Sequence, residues 1–257
     1  MKKLCALLLV CLFTAAALSA CSLFPFIPTQ KPTQPAASSP VSADATDAPA
    51  VTDAPATQAP TEITVGTVDS YVKDADKASF TFDDGDTRVY RIPEILLDSA
   101  DAAAANTEIA ERFGEDIEDV RGFTDYCPVV SLDYEAYLSD VYLSVIVKGT
   151  FDGGNSYGLC YTFNVTTGNE LNNVTLCSAT GRDYNTVLGT LTANVTEEYD
   201  AKYGTMPGND SERAKTLDSA NIEAAKLYLD GSGKLMAMVD IYAAVGGGHW
   251  VYSIAAE

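Results

Sequence analysis

The sequence predicts an α+β fold, with largely antiparallel sheets and two amphipathic helices packed on one face. Short stretches in which apolar and polar residues alternate indicate strands. Turns rich in Gly, Asn and Asp separate these stretches, which is typical of antiparallel hairpins. Two longer segments repeat apolar residues at steps of three and four, as amphipathic helices do. The resulting order of strands, helix, strands, helix and strands favours the α+β class.

The N-terminus has the pattern of a secretory signal. Two lysines precede an apolar run, Leu4–Leu18, which at about fifteen residues is short for a membrane span of roughly 20. The motif Leu18-Ser19-Ala20-Cys21 resembles the bacterial lipobox, in which the cysteine thiol takes a diacylglyceryl group. We therefore predict a signal peptide over 1–20 and lipidation at Cys21. This would anchor the protein on the extracytoplasmic face of a bacterial cell membrane, of the Gram-positive type. A secreted protein with an incidental cysteine is the alternative.

The charge of the chain restricts its partners. The 257 residues carry a net charge of −20, and removal of residues 1–20 with their two lysines leaves 237 residues at −22. This length suits one large or two small domains. The phosphates of a nucleic acid would repel a protein this acidic. We therefore predict no nucleic-acid partner. The charge attracts cationic partners, although solubility alone would also explain it.

A low-complexity segment follows the cysteine. Eight of the eleven prolines lie between residues 22 and 62, with Ala, Thr and Ser between them. The segment contains a near-repeat, Thr46-Asp47-Ala48-Pro49-Ala50 and Thr52-Asp53-Ala54-Pro55-Ala56. Such a composition buries too little apolar surface to fold. We therefore predict a disordered tether over 21–62, a length that suits a stalk between a membrane and a folded domain.

The folded part is predicted to begin near Ile63 with two strands and a helix. Strand residues are predicted over 64–72 and 78–92. Within the second range, Asp83-Asp84-Gly85-Asp86 is a turn sequence that lacks the further carboxylates a calcium loop would need. A helix then starts at about Ser99. Its apolar stripe consists of Ala102, Ala105, Ile109, Phe113, Ile117 and Val120.

A meander, a second helix and three final strands are predicted for the remainder of the folded part. The meander has strands around Leu132, Val145 and Tyr161, and a fourth over Leu171–Leu176. The second helix runs from about Asp183 to Tyr203, and the following residues, 204–220, look irregular. The apolar stripe of this second helix consists of Tyr184, Val187, Leu188, Leu191, Val195 and Tyr199. Three final strands are centred on Leu227, Val239 and Tyr252.

Three cysteines lie in the predicted folded part, namely Cys127, Cys160 and Cys177. An odd number allows at most one internal disulfide, and a Cys160–Cys177 bond would close a hairpin-sized loop. Three buried free thiols are the alternative, because cysteine behaves as a small apolar residue. The sequence leaves both open.

Several motifs resemble those of a known family. They are Tyr90-Arg91-Ile92-Pro93-Glu94-Ile95, an Ala-rich helix with Asn106, Val130-Ser131-Leu132, Gly153-Gly154 and Phe163-Asn164-Val165-Thr166-Thr167-Gly168. They are similar to motifs in the paired extracytoplasmic domains of unknown function of the RsiV anti-sigma factor and the PdaC peptidoglycan deacetylase.

The resemblance covers about residues 63–256. It implies a PdaC-like αβ subdomain over 63–127 and an RsiV-like antiparallel-sheet subdomain over 128–257. It also implies partners, since RsiV-like domains are associated with lysozyme and PdaC-like proteins with peptidoglycan. The family often has a histidine after its Gly-Gly, whereas this chain has Asn155-Ser156-Tyr157-Gly158. No polysaccharide deacetylase domain is expected after these motifs, so the resemblance implies the accessory extracytoplasmic module without the catalysis.

The sequence has few residues in the patterns that catalytic sites use. His249, the one histidine, follows Gly246-Gly247-Gly248, and neither a metal-ligand pattern nor a nucleophile motif accompanies it. A thiol of Cys127 or Cys160 with His249 as base remains conceivable. The carboxylates on the first helix are typical of a solvated face rather than a glycosidase pair. We therefore predict a protein that is not an enzyme and has no cofactor or metal.

The leading hypothesis is a cell-surface binding module for a cationic protein such as lysozyme, or for a peptidoglycan-type glycan. Aromatic side chains are common anchors at such interfaces. The candidate ligand-binding residues are Tyr137, Tyr142, Tyr157, His249 and Trp250. The alternatives are a structural or assembly partner of another envelope protein, and an accessory domain of a cell-wall hydrolase or deacetylase.

Overall fold

A computed structural model describes residues 65–243 and 248–257. The chain divides into two units, Met1–Gln58 and Ala59–Glu257, and the described residues all belong to the second. The predicted signal peptide, Cys21 and the tether over 21–62 lie outside the described residues. Within 65–243 and 248–257, no helix has the length and apolar character that a membrane span requires.

The first half of the unit contains five strands and one long helix. Their bounds are β1 Val72–Thr81, β2 Thr87–Ile95, α1 Ala100–Gly122, β3 Val129–Ser139, β4 Tyr142–Phe151 and β5 Asn155–Asn164. β1 and β2 form an antiparallel hairpin, and β3, β4 and β5 form an antiparallel sheet in that order. The strand predicted over 64–72 is corrected, because a short 3-10 helix at Val68–Ser70 precedes β1.

The second half contains four helices and a second sheet. Their bounds are α2 Asn173–Ala179, α3 Tyr184–Tyr203, α4 Asp210–Thr216, α5 Ser219–Ala224, β6 Lys226–Leu229, β7 Leu235–Tyr242 and β8 His249–Ala255. β7 is central and pairs antiparallel with both neighbours. The fourth meander strand predicted over Leu171–Leu176 is wrong. Asn172 instead caps α2 by accepting a hydrogen bond from the Thr175 amide at 2.9 Å. The region 204–220 also contains α4.

The predicted α+β class is confirmed, with about 35% of the described residues in helices and 37% in strands. The helices cover two different cores rather than a single face. In the first core, the predicted stripe of α1 is fully buried and packs with Tyr90, Leu132 and Phe163. In the second core, α3 packs with Leu235 and Val239 of β7. The first core unites residues on both sides of the predicted subdomain boundary at 127/128.

Charged side chains join the β1–β2 hairpin to the meander. The Arg91 guanidinium of β2 lies 2.8 Å from the Asp133 carboxylate of β3 and 5.0 Å from the centre of the Tyr134 ring. The Tyr134 hydroxyl donates a hydrogen bond to Asp74 of β1 at 2.8 Å. Burial and this hydrogen bond raise the pKa of Tyr134 to about 12. This network fixes β2 beside β3 although the two strands are not paired.

β5 crosses the second sheet from one edge to the other. At one end the Ser156 hydroxyl accepts a hydrogen bond from the Val251 amide of β8 at 2.6 Å. At the other end the Thr162 hydroxyl donates to the Leu227 carbonyl of β6 at 3.3 Å. Between them Gly158 faces β7, and a Cβ there would lie 2.7 Å from the Met238 sulfur. The sheets therefore pack face to face with crossed strands.

All three cysteines in the described residues are buried and free. The sequence left open whether two of these cysteines form a disulfide. The structure has Cys127, Cys160 and Cys177 as three free thiols. In the chain from residue 21 carrying Cys21→Ser, we expect a thiol reagent to react slowly with the native protein and to reveal three thiols only in denaturant. Fast reaction of the native protein, or fewer than three thiols in unfolded unreduced protein, would contradict this assignment.

Candidate functional site

The structure separates the five aromatic candidates. Tyr157 of β5 and His249 of β8 come together, with ring centroids 5.8 Å apart. Tyr137 instead stacks on Tyr228 and donates a hydrogen bond to Glu135 at 2.5 Å. The hydroxyl of Tyr142 bonds the Ala179 carbonyl at 3.2 Å. Trp250 packs against the second core.

Tyr157 and His249 belong to a four-ring surface group that we call the aromatic cluster: Phe151, Tyr157, Tyr242 and His249. Phe151 and Tyr157 lie on the two strands of the β4–β5 hairpin, with centroids 5.9 Å apart. Tyr242 and His249 are register partners on β7 and β8, with centroids 5.4 Å apart. The crossing of β5 over the second sheet brings the two pairs into contact. Tyr157 is the most exposed of the four, at 40%.

Charged groups surround the aromatic cluster. The Arg112 guanidinium of α1 lies 4.3 Å from the centre of the Tyr157 ring, and the Lys215 ammonium lies 5.9 Å from that of Tyr242. Both distances permit cation–π attraction. His249 Nε2 lies 3.2 Å from an oxygen of Asp240. The cluster can therefore present ring edges, a hydroxyl and both signs of charge to a ligand.

Carboxylates dominate the α1 surface next to Arg112. Glu108 and Asp116 lie one turn to either side of Arg112. Glu108 accepts a hydrogen bond from the Tyr161 hydroxyl at 2.9 Å. Burial raises the pKa of Asp116, an effect that Arg112 opposes and that the nearby Asp119 and Glu115 increase. Residues 65–257 together hold 13 Lys and Arg against 32 Asp and Glu.

The catalytic alternatives gain no geometric support from the described residues. Burial raises the pKa of the Cys160 thiol, whereas a nucleophilic cysteine needs a lowered one. The imidazole ring of His249 contacts two tyrosine rings and Asp240 rather than a nucleophile. Across 65–243 and 248–257, no group of three or more His, Cys, Asp or Glu side chains could hold a metal ion.

Sequence reasoning did not identify Phe151, Tyr242 or Arg112 as part of the site. Phe151 and Tyr242 each lie near a strand end and next to a glycine-containing segment of the sequence, as Tyr157 and His249 do. That shared position was the available signal. Arg112 gave no such signal, because its contact with Tyr157 depends on how α1 packs against the meander.

The fold and this site define an acidic α+β domain with an aromatic surface cluster. No model of a known protein family matches the chain, and no curated protein is significantly similar to it. The motif resemblance to RsiV-like and PdaC-like domains therefore stays a prediction.

Proposed function

We propose that the protein is a non-enzymatic lipoprotein of the bacterial cell surface whose folded domain binds a cationic protein, such as a lysozyme. The contact surface is centred on Tyr157. The observation that carries this proposal is an exposed aromatic ring held between Arg112 and His249 on a strongly acidic domain. The lipid anchor at Cys21 and the tether over 21–62 would hold the domain outside the membrane.

Charge supports the choice of a cationic partner. The folded domain has a net charge of −19, from 13 basic and 32 acidic side chains. The carboxylates of α1 next to the aromatic cluster would steer a basic surface towards Tyr157. Such steering raises association rates and weakens as salt screens it.

The aromatic cluster supports a specific contact beyond charge. Interface hot spots are enriched in tyrosine and are surrounded by groups that exclude water. The Tyr157 ring is held in place by Arg112, Phe151 and His249, so that little side-chain entropy remains to be lost on binding.

A peptidoglycan-type glycan is the second candidate ligand. The observation that favours it is the arrangement of aromatic rings beside hydrogen-bonding groups, here Tyr157 and Tyr242 with the His249–Asp240 pair. Sugar rings present apolar faces to aromatic side chains and hydroxyls to polar ones. An uncharged chitooligosaccharide would reveal this binding without interference from charge.

We would test the first proposal by titrating the chain from residue 21 carrying Cys21→Ser with a C-type lysozyme. A second basic protein of similar charge is titrated in parallel, and both series are repeated at low and at physiological salt. Lysozyme binding that survives physiological salt and exceeds that of the second protein is the expected result. Equal binding of both proteins, or binding that disappears at physiological salt, would show that the interaction is only non-specific charge attraction.

Tyr157→Ala should weaken the lysozyme interaction by about tenfold or more, since truncation of a central aromatic anchor costs over ~1.4 kcal/mol. Tyr126→Ala is the matched control, because Tyr126 is a tyrosine with an even larger exposed fraction, 59%, that lies outside the aromatic cluster. The control should bind as the unmodified protein does. Equal effects of the two substitutions would exclude Tyr157 as the centre of the contact.

A further inference from the structure

A cavity of about 400 Å³ lies beside the C-terminal part of β5. Its walls come from β5, from the segment that leads into α2 together with the first turn of α2, and from the end of α5 and the start of β6. None of its lining residues belongs to the aromatic cluster. Sites for small molecules commonly have volumes of about 300–1,000 Å³, so the space is sufficient for a compact ligand.

The open edge of β5 borders this cavity. β5 is the last strand of its sheet, and its outer edge is paired only briefly. The Leu171 amide donates to the Thr162 carbonyl at 2.7 Å, and the Asn164 amide donates to the Asn169 carbonyl at 2.9 Å. Among the described residues this pairing ends at Thr162. Alternate residues of a strand direct their peptide groups to the same edge, so the N–H and C=O of Cys160 also face outward.

Charges of both signs line the same cavity. Glu170, Glu223 and Lys226 contribute to its walls. Lys226 pairs with none of the described carboxylates within the 4.0 Å that defines an ion pair. Burial raises the pKa of the Glu170 carboxyl, and Lys226 only partly offsets this effect. Among the described residues, the cavity thus holds an ammonium group without an ion-pair partner and two carboxylates, beside the part of the β5 edge at Cys160 that has no strand partner.

We propose that this cavity binds a short peptide with free termini. The ligand backbone would extend the sheet by pairing with the outward peptide groups of Cys160, as in recognition by strand addition. Its ammonium group would lie between Glu170 and Glu223, and its carboxylate would bind Lys226. This site shares no residue with the surface proposed for the cationic protein and goes beyond that function.

The test uses alanine tripeptide, in all-L and all-D forms, titrated calorimetrically into the chain from residue 21 carrying Cys21→Ser. At least one form with free termini should bind, and the same tripeptide with an acetylated N-terminus and an amidated C-terminus should bind about tenfold more weakly. Amide resonances of Cys160 and Thr162 should shift on binding. Absence of binding by both forms at millimolar concentration, or equal binding of the capped peptide, would overturn the proposal.

Substitutions then locate the site. Lys226→Met and the double variant Glu170→Gln/Glu223→Gln should each lower the affinity about tenfold. Lys234→Met, which removes an exposed lysine from the β6–β7 turn outside the cavity, is the matched control and should leave affinity unchanged. None of the four side chains belongs to a hydrophobic core, so the variants should fold, and a melting curve checks this. Affinity that is insensitive to Lys226→Met, or that falls equally in Lys234→Met, would place binding elsewhere.

Discussion

Asn106→Ala should lower the free energy of unfolding by about 2–6 kcal/mol. The Asn106 amide of α1 donates a hydrogen bond to the Ile95 carbonyl at 2.9 Å and accepts one from the Ile95 amide at 2.8 Å. Ile95 ends β2 and is buried, so water cannot easily replace these two bonds. Each backbone group left without a partner costs about 1–3 kcal/mol. The side chain thus fixes the end of β2 to the first core.

The measurement is urea denaturation of the chain from residue 21 carrying Cys21→Ser, with and without the substitution. Thr107→Ala, on the next residue of α1, is the matched control. The Thr107 hydroxyl donates only to the Ala103 carbonyl within the same exposed helix surface. It should change stability by less than about 0.5 kcal/mol, because alanine is also the better helix former. A loss in Asn106→Ala that is no larger than that of the control would show that the two bonds carry little of the stability.

The second half of the domain contains a similar pair of asparagine hydrogen bonds. The Asn173 amide of α2 donates to the Ala225 carbonyl at 2.7 Å and accepts from the Leu227 amide at 3.0 Å. In both halves an asparagine on a helix therefore satisfies the N–H and C=O groups at the end of a strand. The sequence marks Asn106 only as part of a family-like motif. Its partner is eleven residues away in sequence, and the bond depends on how α1 folds back over β2.

Local periodicity predicted the helices and strands where neighbouring residues determine structure. Ser99 begins α1 as expected, because its hydroxyl accepts a hydrogen bond from the Ala102 amide at 3.1 Å. The same reasoning failed over Leu171–Leu176, which is predicted as a strand of the meander but begins α2 instead. Asn172 with Thr175 was the overlooked signal, since an asparagine three residues before a hydrogen-bonding threonine is a helix cap.

The site was less predictable than the elements, because its residues meet only through tertiary packing. Tyr157 and His249 were both candidates, but 92 positions separate them and no local pattern shows that they touch. Tyr137 and Tyr142 have the same residue type and similar strand positions, yet the contacts of each are with other groups. The crossing of β5 over the second sheet decides which tyrosine meets the histidine. Crossing angles between sheets depend on core packing rather than on strand periodicity.

Gly248→Ala should destabilise the fold by about 2–5 kcal/mol and also weaken binding at the aromatic cluster. Gly248 has a φ of +84°, and a Cβ there would lie 1.8 Å from the Gly154 carbonyl oxygen in the β4–β5 turn. The left-handed conformation costs a non-glycine residue roughly 1–2 kcal/mol, and forcing an atom into packed space costs typically about 1–3 kcal/mol more. Relief of the contact must separate the β4–β5 turn from the start of β8. His249 would then move away from Tyr157.

Gly153→Ala provides the matched control in the β4–β5 turn itself. Its φ is +85°, almost the same as that of Gly248, but a Cβ there meets nothing within 4 Å. This variant should therefore lose only the conformational contribution of roughly 1–2 kcal/mol and keep its affinity for lysozyme. The two variants are compared by urea denaturation and by the same titration. Since the backbone strain is shared, the difference between them isolates the contact between Gly248 and Gly154. Equal stability and equal binding of both variants would mean that the turn and β8 move apart freely and that their contact does not position His249 against Tyr157.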